Sequence, residues 1–190
     1  MKYQKLLQFQ ELEKISKRLY KKYREKIVDI FLFGSCVKGK LRPNDLDLAV
    51  LFKNSDSQFS QKIYSEFKKE TDKEIHYNGY NIEEIFSLSI FSTLLEEGYS
   101  LIHNRYLSEL MGYEASMIFN FNLKNLTKSK KVLFSYALHG HNSNEGMLKK
   151  LGGKIFGKAV VIIPESKVEE FREFFELWDI DFEAKKVLIK

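Results

Sequence analysis

The chain of 190 residues carries a net charge of +5, with 44% hydrophobic and 30% charged residues. That balance excludes a disordered or membrane class and suffices for one ample domain or two small ones. The longest aliphatic run, residues 159–163, falls far short of the ~20 apolar residues a bilayer crossing needs, the first residues lack the apolar core and cleavage site of a secretion signal, and the single cysteine, Cys36, allows neither an internal disulfide nor a cysteine-based metal site. A cytoplasmic protein without membrane contact is expected.

In chain order, Leu12, Ile15, Leu19 and Tyr23 recur at three- and four-residue spacing, which predicts an amphipathic helix over residues 3–23. Residues 27–33 are β-branched and aromatic and stop at Gly34, as a buried strand does. Gly39 and Pro43 mark residues 38–44 as a loop, and a second strand follows to Phe52. Phe59, Ile63 and Phe67 predict a helix ending near Glu70, then a short strand over 74–77, a turn at Asn78-Gly79, a helix over 82–97 capped by Gly98, and a closing strand over 99–102. The first domain is placed at residues 1–104. In the second, residues 105–190, the alternation around Met117, Phe119 and Phe121 predicts a strand and residues 128–138 a helix. Residues 139–157 read as irregular, 159–163 as a buried strand, Val168 to Trp178 as a helix with a strongly apolar stripe, and 186–189 as a last strand. The fold class is α/β (α+β), with a small C-terminal α/β domain.

Asp45 and Asp47 stand two apart on a predicted strand, so both carboxylates project from one face while Leu46 and Leu48 face the core. Two such carboxylates, about 6.5 Å apart, repel by roughly 2–3 kcal/mol at an effective dielectric near 20. A hard divalent cation reverses that sign, and magnesium is commonly held by carboxylates together with substrate phosphates. Gly34 and Ser35, directly after a buried strand, let the backbone approach phosphate oxygens and offer N–H groups and a hydroxyl. Lys38 and Arg42 in the loop can neutralise phosphate charge. Glu74, with His76 on the same face of its strand, supplies a third carboxylate that can ligate a second ion or draw a proton from an attacking hydroxyl.

Gly34-Ser35, nine residues, then Asp45-Leu46-Asp47-Leu48 resembles the signature of the DNA polymerase β-like nucleotidyltransferase superfamily, above all its minimal bacterial and archaeal members. The resemblance covers residues 26–104 and includes the run Leu94 to Tyr99. It implies a short mixed sheet with flanking helices, two Mg2+ ions, and a nucleoside triphosphate such as ATP as substrate. By the same resemblance Asp45 and Asp47 hold the metals and Gly34 and Ser35 grip the triphosphate. This sequence differs in having Lys38 where Arg is usual and Glu74 where Asp is usual.

Gly152, Gly157 and Lys158 have P-loop spacing, but Ala159 replaces the Ser or Thr such a loop needs, and a strand follows instead of a helix. Lys149, Lys150, Lys154 and Lys158 gather round glycines and Phe156 as a nucleic-acid-contacting loop does, although a solvated Lys loop reads the same way. The expected function is Mg-dependent transfer of a nucleoside monophosphate to a hydroxyl on nucleic acid, protein or a small molecule. The alternative is a non-catalytic module of the same fold, such as an antitoxin-like protein-interaction or nucleic-acid-binding protein.

Overall fold

A computed structural model describes residues 10–37, 45–71 and 73–190, and the chain divides into two compact units, Met1–Met111 and Gly112–Lys190. In the first unit, β1 (Ile27–Phe33) and β2 (Asp45–Phe52) lie at the centre of a sheet ordered β3-β2-β1-β4-β5, with β3 at Glu74–Asn81, β4 at Tyr99–Ser100 and β5 at Arg105–Tyr106. The β2–β3 pair is parallel and the other pairs antiparallel, so the sheet is mixed.

Strand alternation distributes the side chains. Leu46, Leu48, Val50 and Phe52 join Ile30 and Leu32 on one face, against Leu12, Ile15 and Leu19 of α1 (Gln10–Lys22) and Ile63 and Phe67 of α2 (Ser57–Lys68). Each such fully buried side chain contributes about 1.5–3 kcal/mol. On the other face, Phe31 and Ala49 pack with Ile85 and Leu94, from α3 (Ile82–Ile85) and α4 (Ile90–Glu97). Because Asp45 and Asp47 keep the phase of Ala49, they share that second face at the start of β2. The α2 helix starts where Asp56 Oδ1 accepts from Phe59 N at 2.7 Å, an N-cap.

Three expectations in this unit change, one being the closing strand expected over 99–102, which is only Tyr99–Ser100 with β5 outside it at the sheet edge. Asn78-Gly79 is no turn: β3 runs on to Asn81, in register with β2 at all eight positions, and Gly79 is needed because a Cβ there would overlap Ser60 Oγ and crowd the Phe52 ring. The helix expected over 82–97 is broken at 86–89, where Ser87 Oγ donates to Glu84 O at 2.7 Å and Ser92 Oγ to Ser89 O at 2.8 Å; serine hydroxyls here compete for helix carbonyls. The part of the first helix expected over residues 3–9 and the loop over 38–44 lie outside the described residues.

The second unit has the order β6 (Glu114–Asn122), α6 (Lys128–His139), β9 (Lys154–Gly157), β10 (Val160–Pro164), α8 (Val168–Leu177), β11 (Asp181–Ile189). Between α6 and β9 lie the two-residue strands β7 (Gly140–His141) and β8 (Asn144–Glu145) and the turn α7 (Met147–Lys150); one-turn α5 (Leu107–Leu110) closes the first unit. The sheet order is β11-β6-β10-β9, antiparallel throughout, a split β-α-β arrangement. Phe119 and Phe121 of β6 and Val161 and Ile163 of β10 face the helices, meeting Phe134 and Leu138 of α6 and Phe171 and Phe175 of α8. The stretch 139–157, expected to be irregular, holds the β7–β8 hairpin and the edge strand β9, while β11 is nine residues long because it pairs with the whole of β6. Lys158 sits in the β9–β10 turn, not at a helix start, so no P-loop exists there.

Candidate functional site

The site forms where β1 ends. Gly34 adopts φ +73° and opens the 3₁₀ turn Gly34–Cys36. Antiparallel register sets Phe33 opposite Asp47, and the Asp47 carboxylate lies against Gly34 so closely that any Cβ there would overlap Asp47 Oδ2. Glycine is therefore required twice, for the left-handed backbone and for the space. Next in the turn, Ser35 Oγ is buried without a hydrogen-bond partner among the described residues. An unpaired buried hydroxyl costs about 1–3 kcal/mol, so a ligand acceptor there would be stabilising. Cys36 faces the core and its thiol donates to Phe33 O at 3.1 Å; burial pushes its pKa up and keeps it protonated and inert.

Parallel pairing of β2 with β3 sets Asp45 beside Glu74 and Asp47 beside His76. His76 Nδ1 lies 3.4 Å from Asp47 Oδ1 and 3.7 Å from Asp45 Oδ2. Asp45, Asp47 and His76 thus offer three ligand atoms within 4.8 Å of one another, the metal-competent group found among the described residues. Two carboxylates and an imidazole suit a divalent cation, and the Asp47 side chain, 24% exposed, is sheltered enough to hold its geometry.

Of the residues singled out from sequence, Gly34, Ser35, Asp45 and Asp47 converge at this strand end. Glu74 shares their face but stands further out: its side chain is 72% exposed and its carboxylate is 3.9 Å from His76 Nε2. Lys38 and Arg42 lie outside the described residues. His76 is the neighbour sequence reading left without a role. Its signal was the two-residue spacing from Glu74, which becomes decisive only once β3 is known to run parallel to β2 in this register.

The first unit is thus a mixed α/β domain with paired aspartates beside a Gly-Ser turn. Residues 13–104 match the family model described as Polymerase beta, Nucleotidyltransferase, and this part of the chain is a domain of that family. Two solved structures are similar over 47% of this chain. One, described as a mutant of the toxin-antitoxin MntA-HpeT, is 20% identical, covered over 70% of its length, with a TM-score of 0.37. The other, described as a toxin-antitoxin with AMP-PNP, is 22% identical, covered over 71%, with a TM-score of 0.37. No curated protein matches the chain. Among the described residues, no helix is long and apolar enough to cross a membrane.

Proposed function

We propose that the N-terminal domain transfers a nucleoside monophosphate from a nucleoside triphosphate to an acceptor hydroxyl in a magnesium-dependent reaction. The acceptor oxygen attacks the α-phosphorus, the α–β phosphoanhydride bond breaks, pyrophosphate leaves, and the acceptor's proton passes to a nearby carboxylate. Asp45 and Asp47 hold the metal ions, and Gly34 N–H and Ser35 Oγ orient the triphosphate. Lys38 and Arg42 neutralise its charge from the loop. Glu74 serves as the outer acid, accepting the proton or joining a second ion, with His76 between it and the aspartates. When bound, the ions supply charge neutralisation at the phosphates. The C-terminal domain, residues 105–190 in the sequence reading, binds the acceptor or a partner. A cytoplasmic location completes the reading.

The observation that carries it is the contact of the Asp47 carboxylate with Gly34, which sets the Gly-Ser turn, whose Ser35 hydroxyl has no partner among the described residues, directly beside a metal-competent group. Calorimetric titration with each nucleoside triphosphate, with and without magnesium, tests it. Magnesium-dependent binding is expected for the native protein and its loss in Asp45→Asn/Asp47→Asn; a folded native protein that binds none of the triphosphates refutes the reading.

One observation favours a second reading. The third acid is exposed and directed at His76 instead of completing the aspartate pair, as in a domain that retains the fold as an antitoxin-like or nucleic-acid-binding module without turnover. Triphosphate binding with no pyrophosphate released, whatever acceptor is offered, supports this reading over the first.

A further inference from the structure

Charge in the second unit is segregated along the chain. Residues 124–158 contain eight lysines and a single acid, Glu145, whereas residues 159–190 contain eight acids and five basic residues. The basic stretch is α6, the β7–β8 hairpin, α7 and edge strand β9, and the acidic one includes α8. A protein that merely needed soluble surfaces would intersperse the two signs; a one-sided excess is the footprint of a polyanion site.

The basic elements meet in space. A cavity of about 590 Å³ is lined by His139 from the end of α6, Leu148 and Lys149 of α7, Gly152 and Gly153, and Lys154 and Ile155 of β9, with no acidic side chain in its wall. Lys149 is held by Glu145 at 2.6 Å, while Lys154 and Lys158 form no salt bridge among the described residues. Beside these cations stand exposed aromatic rings: Phe156 is 68% exposed on β9, and Tyr136 of α6 is exposed with one face stacked on His141 at 3.9 Å. Exposed aromatics among lysines match unpaired bases, whose faces stack, better than an acidic protein or a duplex, whose bases are already stacked.

We propose that the α6–α7–β9 face of the C-terminal unit binds single-stranded nucleic acid, with Lys150, Lys154 and Lys158 on phosphates and Phe156 stacking a base. The proposal stands apart from the nucleotide-site reading and survives its failure.

Fluorescence anisotropy with the full chain and labelled single strands of about 16 nucleotides, as RNA and as DNA, against the same sequence as duplex, tests it. Single strands should bind tightly at about 50 mM salt, with log affinity falling linearly against log salt by about 0.7 per phosphate contact. The Lys150→Gln/Lys154→Gln/Lys158→Gln variant should lose at least about tenfold in affinity and flatten that slope by about 2. Phe156→Ala should lose about 5- to 150-fold with the slope unchanged. Lys185→Gln on β11 should change little. All these side chains are exposed, and a native thermal melt confirms each variant as folded. The proposal is overturned by tighter binding to duplex, by an equal loss in Lys185→Gln, or by absent oligonucleotide binding, including the case in which phosphatidylglycerol vesicles bind through the same lysines. The RNA and DNA arms identify the favoured sugar.

Discussion

The Asp47 carboxylate fills the space that a side chain at Gly34 would need, so strand register and turn conformation are fixed together. Gly34→Ala would carry a left-handed backbone penalty of roughly 1–2 kcal/mol and would also push Asp47 away from Asp45. A modest fall in melting temperature with at least a tenfold loss of divalent-ion affinity is the expected result. If the variant binds ions like the native protein, Asp47 does not depend on this contact for its place.

His76 Nδ1 lies 3.4 Å from Asp47 Oδ1 and 3.7 Å from Asp45 Oδ2, while the Glu74 side chain beside it is 72% exposed. Manganese, a paramagnetic ion that accepts both carboxylate and imidazole, reports on the pair directly through the free-ion resonance signal. His76→Ala should weaken Mn2+ binding about tenfold, whereas Glu74→Gln should change it less than threefold; each tenfold step corresponds to about 1.4 kcal/mol. The reverse order would restore Glu74 as the inner ligand.

Much of this was legible in sequence because the signals are local. The alternation in β2 sends Leu46 and Leu48 to the core and the aspartates to the opposite face, and Gly34 follows a run that only a buried strand explains. What could not be read depends on pairing between distant segments. Asn78-Gly79 has the composition of a turn, yet eight residues of parallel pairing with β2 hold it extended. The same pairing places His76 beside Asp47, and no spacing within residues 74–77 encodes it. In the second unit, Lys154 to Gly157 looked irregular because an exposed edge strand has no buried face to impose alternation.

Phe119 anchors the second unit's core: fully buried, its ring meets Phe171 at 5.0 Å, Phe182 at 5.3 Å and Phe175 at 5.8 Å. Phe119→Ala removes the ring and leaves a cavity among aromatics too large to collapse around a methyl group, a loss of about 3–5 kcal/mol. Phe119→Leu refills much of that volume and should cost clearly less. Urea denaturation of the three proteins measures both; equal losses for Ala and Leu would mean that edge-to-face ring geometry, not volume, dominates.

Asp29 offers a test by pH. Its carboxylate is buried in β1, where Oδ1 accepts from Ile30 N and from Ser100 Oγ, both at 2.7 Å, and Ser100 Oγ in turn accepts from His103 N at 3.0 Å. One side chain thus ties the central strand to the turn after β4. Burial raises the Asp29 pKa, against the opposing pull of the two hydrogen bonds and of His103. With the folded value above the unfolded one, about 3.9, the unfolded chain releases its proton first as pH rises. The stabilising contribution of the protonated form is then complete below about pH 3.9 and is lost as pH climbs through the folded value. Asp29→Asn keeps an oxygen to accept both hydrogen bonds and cannot ionise. The melting temperature of the variant relative to the native protein should therefore rise from pH ~3 upward and level off once Asp29 is ionised in the folded state. A difference that stays flat across that range would mean burial does not control this carboxylate; one that falls would mean the charged form is the stabilised one, held by His103 at 3.9 Å.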